Sequence, residues 1–268
     1  MNFDTLKNIK DETKRINALY ELFNEDNRLN RSKAARVEFL TTIKYIEAYL
    51  NEDSKILDIG AGAGEYSLYY AKRGYVVNAV ELAKNNIEKF RMKITPKMKL
   101  DLREGNALDL SFYSDESFDI VLLMGPLYHL ENENDRNKAL SEAIRVCKKD
   151  GNIITTFITN DMIVLTELAY DIDFFKGDSY NHETFKINNF PFVFHTVEEA
   201  KKIMNVQGIE VLNIVAQDGA SELMMDYINK LDEESYKQYL RYHFYICEKP
   251  EMLGMTNHLM FVCKRKDI

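Results

Sequence analysis

A glycine-rich turn is the stretch of this sequence whose residue types are best suited to chemistry. Residues 57–66 read LDIGAGAGEY, with glycines at positions 60, 62 and 64. The turn follows a short apolar run and precedes a helical pattern. Glycines at a strand-to-helix turn let a cofactor approach the backbone closely. The turn therefore predicts a cofactor site, and the charges around it bear on which cofactor binds.

Acidic residues flank this turn. The dinucleotide fingerprint GxGxxG would place glycine at position 65, where this chain has Glu65. Asp58, two residues before the first glycine, would repel a pyrophosphate and attract a cation. S-adenosylmethionine carries a sulfonium and an ammonium group and no phosphate, so the charges favour it. An NAD-dependent oxidoreductase is the weaker alternative.

A second acid follows at the end of the next apolar run. Glu81 stands where a carboxylate can accept hydrogen bonds from both hydroxyls of a ribose. Both cofactors carry a ribose, so Glu81 supports the fold without choosing between them.

Short apolar runs alternate with amphipathic helical patterns from Lys55 onward, which is typical of a parallel sheet covered by helices on both faces. The predicted strands are Lys55–Ile59, Val76–Val80, Met98–Arg103, Phe118–Met124, Asn152–Ile158, Ile209–Ala216 and His258–Cys263. The predicted helices among them are Glu65–Arg73, Ala83–Lys93 and Glu133–Lys148, the last with Gly151 as a left-handed stop.

Three segments fall outside this alternation. Residues 1–50 have helical spacing and predict an N-terminal helical cap. The remainder, 51–268, predicts one domain with insertions at about 160–195 and 220–250. The first insertion is aromatic and the second is helical by its spacing, and we expect both to form part of a lid.

The central motifs resemble those of class I S-adenosylmethionine-dependent methyltransferases. ILDIGAGAGEYSLYYAKRGYVVNAVEL resembles their first two motifs, GNALDL the third, FDIVLLMGPLYHL the fourth, and RVCKKDGNIITTF the entry to the fifth strand. The GPLYHL ending is similar to that of a bacterial small-molecule subgroup loosely related to ubiquinone and menaquinone methyltransferases. The resemblance implies an α/β, Rossmann-like, mostly parallel sheet of seven strands whose last strand is antiparallel.

The resemblance also implies which residues bind S-adenosylmethionine. They are Asp58, Gly60, Ala61, Gly62, Gly64, Tyr66, Glu81, Leu82, Asn106, Ala107, Met124, Gly125 and Leu127. Asn106 stands where the family commonly has Asp, and its amide oxygen can still accept a hydrogen bond from the adenine amino group. For Tyr66, packing in the core is an equal alternative.

Tyr128 and His129 are the candidate catalytic residues. A histidine with a near-neutral pKa could take a proton from an attacking hydroxyl, thiol or amine. His129 could instead brace the following helix. Many methyl transfers need no dedicated base, because proximity and alignment of the reacting groups supply most of the rate. Arg28, Arg31 and Arg36 could bind an acidic acceptor or lie on a solvated helix face.

The composition of the chain limits the classes of partner and cofactor that we expect. The 268 residues carry a net charge of −8, which argues against a broad nucleic-acid surface. Cys147, Cys247 and Cys263 have no metal-ligand spacing, so we expect no metal and a reducing compartment. With no signal-peptide pattern and no membrane-spanning run, a cytoplasmic small-molecule methyltransferase is the preferred hypothesis. The alternatives are a methyltransferase for RNA or protein and a non-catalytic module that binds S-adenosylmethionine.

Overall fold

The computed structural model describes residue 6 and residues 8–23, 25–188 and 191–266. The first residues of the predicted cap (1–5 and 7), residue 24 within it, residues 189–190 of the first insertion, and residues 267–268 lie outside this part.

One mixed sheet of eight strands organises the described residues. The strands are β1 (Lys55–Ile59), β2 (Val76–Glu81), β3 (Leu100–Glu104), β4 (Phe118–Leu123), β5 (Cys147–Thr159), β6 (Phe194–His195), β7 (Ile209–Ala216) and β8 (His258–Arg265). Their order is β3-β2-β1-β4-β5-β8-β7, with β6 pairing to the end of β5. Only β8 runs antiparallel to its neighbours β5 and β7, which confirms the predicted Rossmann-like α/β architecture.

The predicted count of seven strands was wrong by one. The additional strand, β6, pairs Phe194 and His195 with Ile158 and Thr159. Two residues are too few to produce an alternating pattern, so the sequence gives no signal for this strand.

Helices cover both faces of the sheet. They are α1 (Glu12–Leu22), α2 (Lys33–Glu47), α3 (Glu65–Lys72), α4 (Lys84–Lys93), α5 (Glu133–Val146), α6 (Asn160–Tyr170), α7 (Val197–Ile203), α8 (Met225–Ile228) and α9 (Glu233–Ile246). Single 3₁₀ turns lie at Arg28–Asn30, Pro126–Tyr128, Phe174–Lys176 and Pro250–Met252. Strands β1 and β4 are almost entirely buried because helices pack on both of their faces.

The end of α5 differs from the expectation. The helix stops at Val146 and the left-handed residue is Asp150, with φ 59°. Gly151 is required for packing instead: a Cβ there would lie 2.8 Å from Cys147 Sγ and 2.9 Å from the Asp119 carbonyl oxygen.

The N-terminal helices pack against the rest of the protein through several contacts. Helix α1 contacts the start of α4, where the Asn17 side chain accepts a hydrogen bond from the Lys84 amide at 2.9 Å. Helix α2 packs against α8 and α9 of the second insertion, through Val37, Ile228 and Tyr236. Among the described residues, no helix is both long and apolar enough to cross a bilayer.

Candidate active site

The glycine turn joins β1 to α3 at the carboxyl edge of the sheet. Gly60, Gly62 and Gly64 all have positive φ, at 71°, 56° and 87°. The carbonyl oxygen of Val80, at the end of β2, accepts hydrogen bonds from the amides of Gly60 at 2.8 Å and Ala61 at 3.1 Å. The turn is therefore fastened to the neighbouring strand in a conformation that glycine adopts without strain.

Asp58 lies beneath the turn and is 3% exposed. The hydroxyl of Ser67, in the first turn of α3, donates to its Oδ2 at 2.7 Å. Burial raises the pKa of Asp58 to about 6, against the Ser67 hydrogen bond, and the negative Glu81 nearby adds to the rise. No described basic side chain forms an ion pair with Asp58, so its negative charge is uncompensated.

Glu81 holds the turn from the other side. Its Oε2 accepts a hydrogen bond from the Gly62 amide at 2.7 Å, and its Oε1 accepts one from the Ala83 amide at 2.8 Å. Burial raises its pKa, although these amide hydrogen bonds oppose the rise. Like Asp58, it forms no ion pair with a described basic residue.

A narrow cavity of about 60 Å³ opens onto the turn. The predicted site residues that line it are Asp58, Gly60, Ala61, Gly62, Tyr66, Met124, Gly125 and Tyr128. Tyr66 lines the cavity and also packs in the core, where its ring stacks on that of Phe39 with centroids 5.4 Å apart. The volume holds only a few water molecules, and the wall includes cap residues such as Tyr20 and Arg28.

Other predicted site residues lie around this cavity without lining it. Gly64 packs against Phe90, and Leu127 is fully buried in the main core. Asn106 uses its side-chain oxygen to accept a hydrogen bond from the Leu108 amide at 3.0 Å. Leu82, Ala107 and Glu81 are likewise absent from the cavity wall.

A chamber of about 1410 Å³ adjoins the narrow cavity. Its wall combines the cap, both insertions and the start of β8, including Phe23, Phe174, Phe192, Met225 and His258. The residues common to both walls are Tyr20, Glu25, Arg28, Glu38 and Tyr128. These five side chains therefore mark the junction between the space at the glycine turn and the chamber.

The two candidate catalytic residues lie near this junction in different surroundings. Tyr128 lines both spaces, and burial raises its pKa above the ordinary value. His129 is 8% exposed and lines neither space, and its Nε2 is 2.9 Å from the Tyr20 hydroxyl. Burial, aided by the positive Arg15, lowers the pKa of His129 to about 4, so it is neutral and weakly basic at pH 7.

Comparison with known proteins identifies the central region that carries this geometry. Residues 57–155 match the family described as a methyltransferase domain. We call residues 57–155 the methyltransferase domain, after the family that they match. The match contains the glycine turn, Glu81, Tyr128 and His129.

The chain aligns with only part of the length of the curated proteins that it resembles. The putative methyltransferase YqeM of Bacillus subtilis is 24% identical over 135 residues, which are 50% of this chain and 54% of that protein. The ubiquinone/menaquinone biosynthesis C-methyltransferase UbiE of Rickettsia massiliae is 31% identical over 170 residues, 60% of this chain and 63% of that protein. The chain thus matches less than two thirds of the length of these relatives.

A solved structure extends the similarity in fold beyond the matched region. A SAM-dependent methyltransferase from Methanosarcina mazei has a TM-score of 0.54 and 18% identity, over 83% of this chain and 97% of that one. At that identity the likeness concerns the fold alone.

The methyltransferase domain also lies beside a group of charges that the sequence analysis missed. Arg28 donates from Nε to Glu25 at 2.7 Å and from both terminal nitrogens to Glu38 at 2.7 and 2.9 Å. Glu38 Oε2 lies 3.6 Å from Nδ1 of His258, which in turn lies 2.7 Å from Oδ2 of Asp218. We call Glu25, Arg28, Glu38, His258 and Asp218 the charge chain.

Opposite charges alternate along the charge chain and set its protonation. Burial opposes the charge of His258, but the carboxylates of Glu38 and Asp218 outweigh it and raise its pKa to about 9. Conversely, His258 outweighs the effect of burial on Asp218 and lowers its pKa. His258 is therefore protonated at pH 7.

Three members of the charge chain could together hold a metal ion. Each offers one possible ligand atom, and these atoms, from Glu38, Asp218 and His258, lie within 4.8 Å of one another. Arg28 occupies both oxygens of Glu38, and His258 Nδ1 is bonded to Asp218. Since these groups already neutralise each other, we assign no metal to them.

No sequence signal indicated the charge chain. Arg28 is ion-paired with Glu38 across 10 positions, so it is neither free to bind an acidic acceptor nor on a solvated face. Glu38 and His258 are 220 positions apart and belong to no common motif. Only the packing of α2 beside the start of β8 brings them together.

Proposed function

We propose that this protein transfers a methyl group from S-adenosylmethionine to a small molecule and releases S-adenosylhomocysteine. The observation that carries the proposal is the pair of buried carboxylates at the glycine turn of a methyltransferase domain. Asp58 and Glu81 are 3% and 4% exposed and have no described cationic partner. A ligand that brings positive charge would lower the cost of burying them.

The residues of the site divide the work of binding this donor, which supplies an electrophilic methyl group on a cationic sulfur. The glycine turn presents backbone groups, and Asp58 offers a carboxylate toward the positive end of the donor. Glu81 can accept hydrogen bonds from the ribose once its bonds to the Gly62 and Ala83 amides are shared or released. Asn106 and Leu82 are the proposed adenine contacts, from the predicted motif positions.

The acceptor site is the chamber beyond the junction. Its wall is rich in aromatic and aliphatic side chains, among them Phe23, Ile163, Phe174 and Phe192. Such a lining suits a ligand with a substantial apolar part, and enclosure by the cap and both insertions suits a small molecule better than a polymer. The subgroup suggested by GPLYHL, with its likeness to quinone methyltransferases, is part of this proposal.

The chamber also bears on the alternatives. A non-catalytic module would need no room beside the donor, whereas about 1410 Å³ adjoins the glycine turn. Modification of RNA is disfavoured by the net charge of −8. A cytoplasmic location stays a prediction drawn from the cysteines, all three of which are free and buried.

Calorimetric titration with S-adenosylmethionine, S-adenosylhomocysteine and NAD in parallel tests the proposal. We expect both adenosyl ligands to bind and NAD not to bind, because a pyrophosphate would face Asp58 and Glu81. Binding of NAD, with neither adenosyl ligand binding, would contradict it.

A further inference from the structure

His258 occupies a distinctive place at the junction of the two spaces. It is the first residue of β8, it lines the chamber, and its side chain is 17% exposed. Its neighbour in the charge chain, Glu38, lines both the chamber and the cavity at the glycine turn. Glu38, which lies beside His258, thus also borders the space in which the methyl donor is proposed to bind.

The two nitrogens of His258 are in different situations. Nδ1 is bonded to Asp218 Oδ2 at 2.7 Å, which fixes the ring and keeps a proton on Nδ1. Nε2 has no hydrogen-bond partner among the described residues. It is also not one of the fully buried polar atoms that lack a partner, so it is accessible, and His258 lines the chamber. A proton can therefore leave or arrive at Nε2 without disturbing the bond to Asp218.

The charges facing His258 from all sides explain why it holds that proton before ligand binds. Glu38 faces it from α2 and Asp218 from the segment after β7, while Arg28 lies beyond Glu38. The ring of Tyr128 lies 6.5 Å away and is neutral at pH 7. With His258 protonated, the three carboxylates and two cations of the charge chain leave one net negative charge.

We propose that His258 accepts the proton that the methyl acceptor loses, and that it becomes free to do so when the cationic donor binds. This inference rests on the proposed function. A sulfonium bound in the narrow cavity, whose wall includes both Asp58 and Glu38, adds a positive charge near the imidazolium, and each cation disfavours the other. Release of the Nε2 proton relieves this repulsion and leaves a neutral base at the acceptor chamber.

The reaction balances in charge and in atoms. The acceptor lone pair forms the new bond to the methyl carbon, the electrons of the carbon–sulfur bond stay on sulfur, and the proton of the acceptor moves to Nε2. One positive charge thereby passes from sulfur to the imidazole. The charge chain returns to its original state as the donor becomes neutral at sulfur.

The test counts protons released on binding and needs no acceptor. S-adenosylmethionine and S-adenosylhomocysteine are titrated into the protein by calorimetry at pH 8, in two buffers of different ionisation enthalpy. The two ligands differ in the charge on sulfur, so the difference in proton release reports on the response to that charge. With a pKa of about 9 for His258, the wild-type difference should approach about 0.9 proton, while Asp58 is already ionised and contributes little.

Three variants locate the source of the proton. His258→Gln should abolish the difference, and His182→Gln, at an exposed histidine of the first insertion, should leave it unchanged. Asp218→Asn keeps the imidazole but removes one charge that holds its proton, so the difference should shrink. This last variant tests the inference even where His258→Gln fails to fold.

The possible results separate the two claims. Equal proton release with both ligands, or a difference that persists in His258→Gln, overturns the inference and leaves the proposed function standing. Failure of both adenosyl ligands to bind removes the proposed function and the inference with it.

Discussion

At the scale of single residues, Asp58 shows how a binding site can oppose stability. Its carboxylate is buried with one hydroxyl donor, Ser67, and without a cation. The same negative charge that suits a cationic donor is costly in the unliganded protein. His129 shows the opposite case, because burial keeps it neutral and joined to Tyr20.

The pKa of Asp58 predicts a specific pH dependence of stability. A carboxyl whose pKa rises from 3.8 unfolded to about 6 folded binds its proton more tightly in the folded state. Its contribution to the free energy of unfolding is therefore most favourable below pH 3.8. That free energy falls by up to about 3 kcal/mol as the pH rises through 6. Asp58→Asn should remove this loss, so the variant should gain stability relative to wild type between pH 4 and pH 8, as measured by urea unfolding.

The same variant should lose affinity while it gains stability at pH 8. Loss of the buried charge-assisted contact should weaken binding of S-adenosylmethionine at least about tenfold. Asp53→Asn, at an exposed residue before β1, is the matched control and should change neither quantity. An Asp58→Asn protein with wild-type affinity would refute the role of Asp58.

At the scale of elements, the β1–α3 turn depends on its contact with α4. Gly64 has φ 87°, and a Cβ at this position would lie 2.4 Å from the ring of Phe90. The turn thus needs glycine both for its backbone conformation and for the close approach of α4. Gly74 isolates the first requirement, since its φ is 92° and a Cβ at this position would have no neighbour within 4 Å.

These two glycines make a matched pair of substitutions. Gly74→Ala should cost about 1–2 kcal/mol of unfolding free energy, because alanine is strained in the left-handed conformation. Gly64→Ala should cost about 1–3 kcal/mol more, because α4 must shift to relieve the overlap with Phe90. Chemical denaturation measures both, and equal losses would show that packing against α4 is unimportant.

At the scale of the whole molecule, the site is assembled from segments far apart in the chain. The cap supplies Tyr20 and Arg28, the methyltransferase domain supplies the glycine turn, and β8 supplies His258. A ligand that bridges these parts should stabilise the folded protein as a unit.

S-adenosylmethionine should accordingly raise the melting temperature. At a concentration about 100 times its dissociation constant, binding adds about 2.7 kcal/mol. For a chain of this size that corresponds to a rise of roughly 5–10 °C in a thermal melt. NAD at the same concentration should produce no rise, and an equal rise with NAD would contradict the assignment of the donor.

The sequence by itself determined the alternation of strands and helices and the acidic glycine turn, whereas the antiparallel last strand was implied by the family resemblance. These features are local: apolar periodicity, glycine spacing and the charge of Asp58 all act over a few neighbouring residues. It also singled out Tyr128 as a candidate catalytic residue just after β4, and the structure places this residue at the junction.

Only the tertiary structure decided which side chains face one another across the chain. The two-residue β6 forms because it meets the end of β5. Asp150, rather than Gly151, takes the left-handed conformation, while Gly151 packs against Cys147. The charge chain likewise exists because α2 and the start of β8 are adjacent in space. Protonation of a buried histidine depends on the charges within a few ångströms of it, and those distances are a property of the fold.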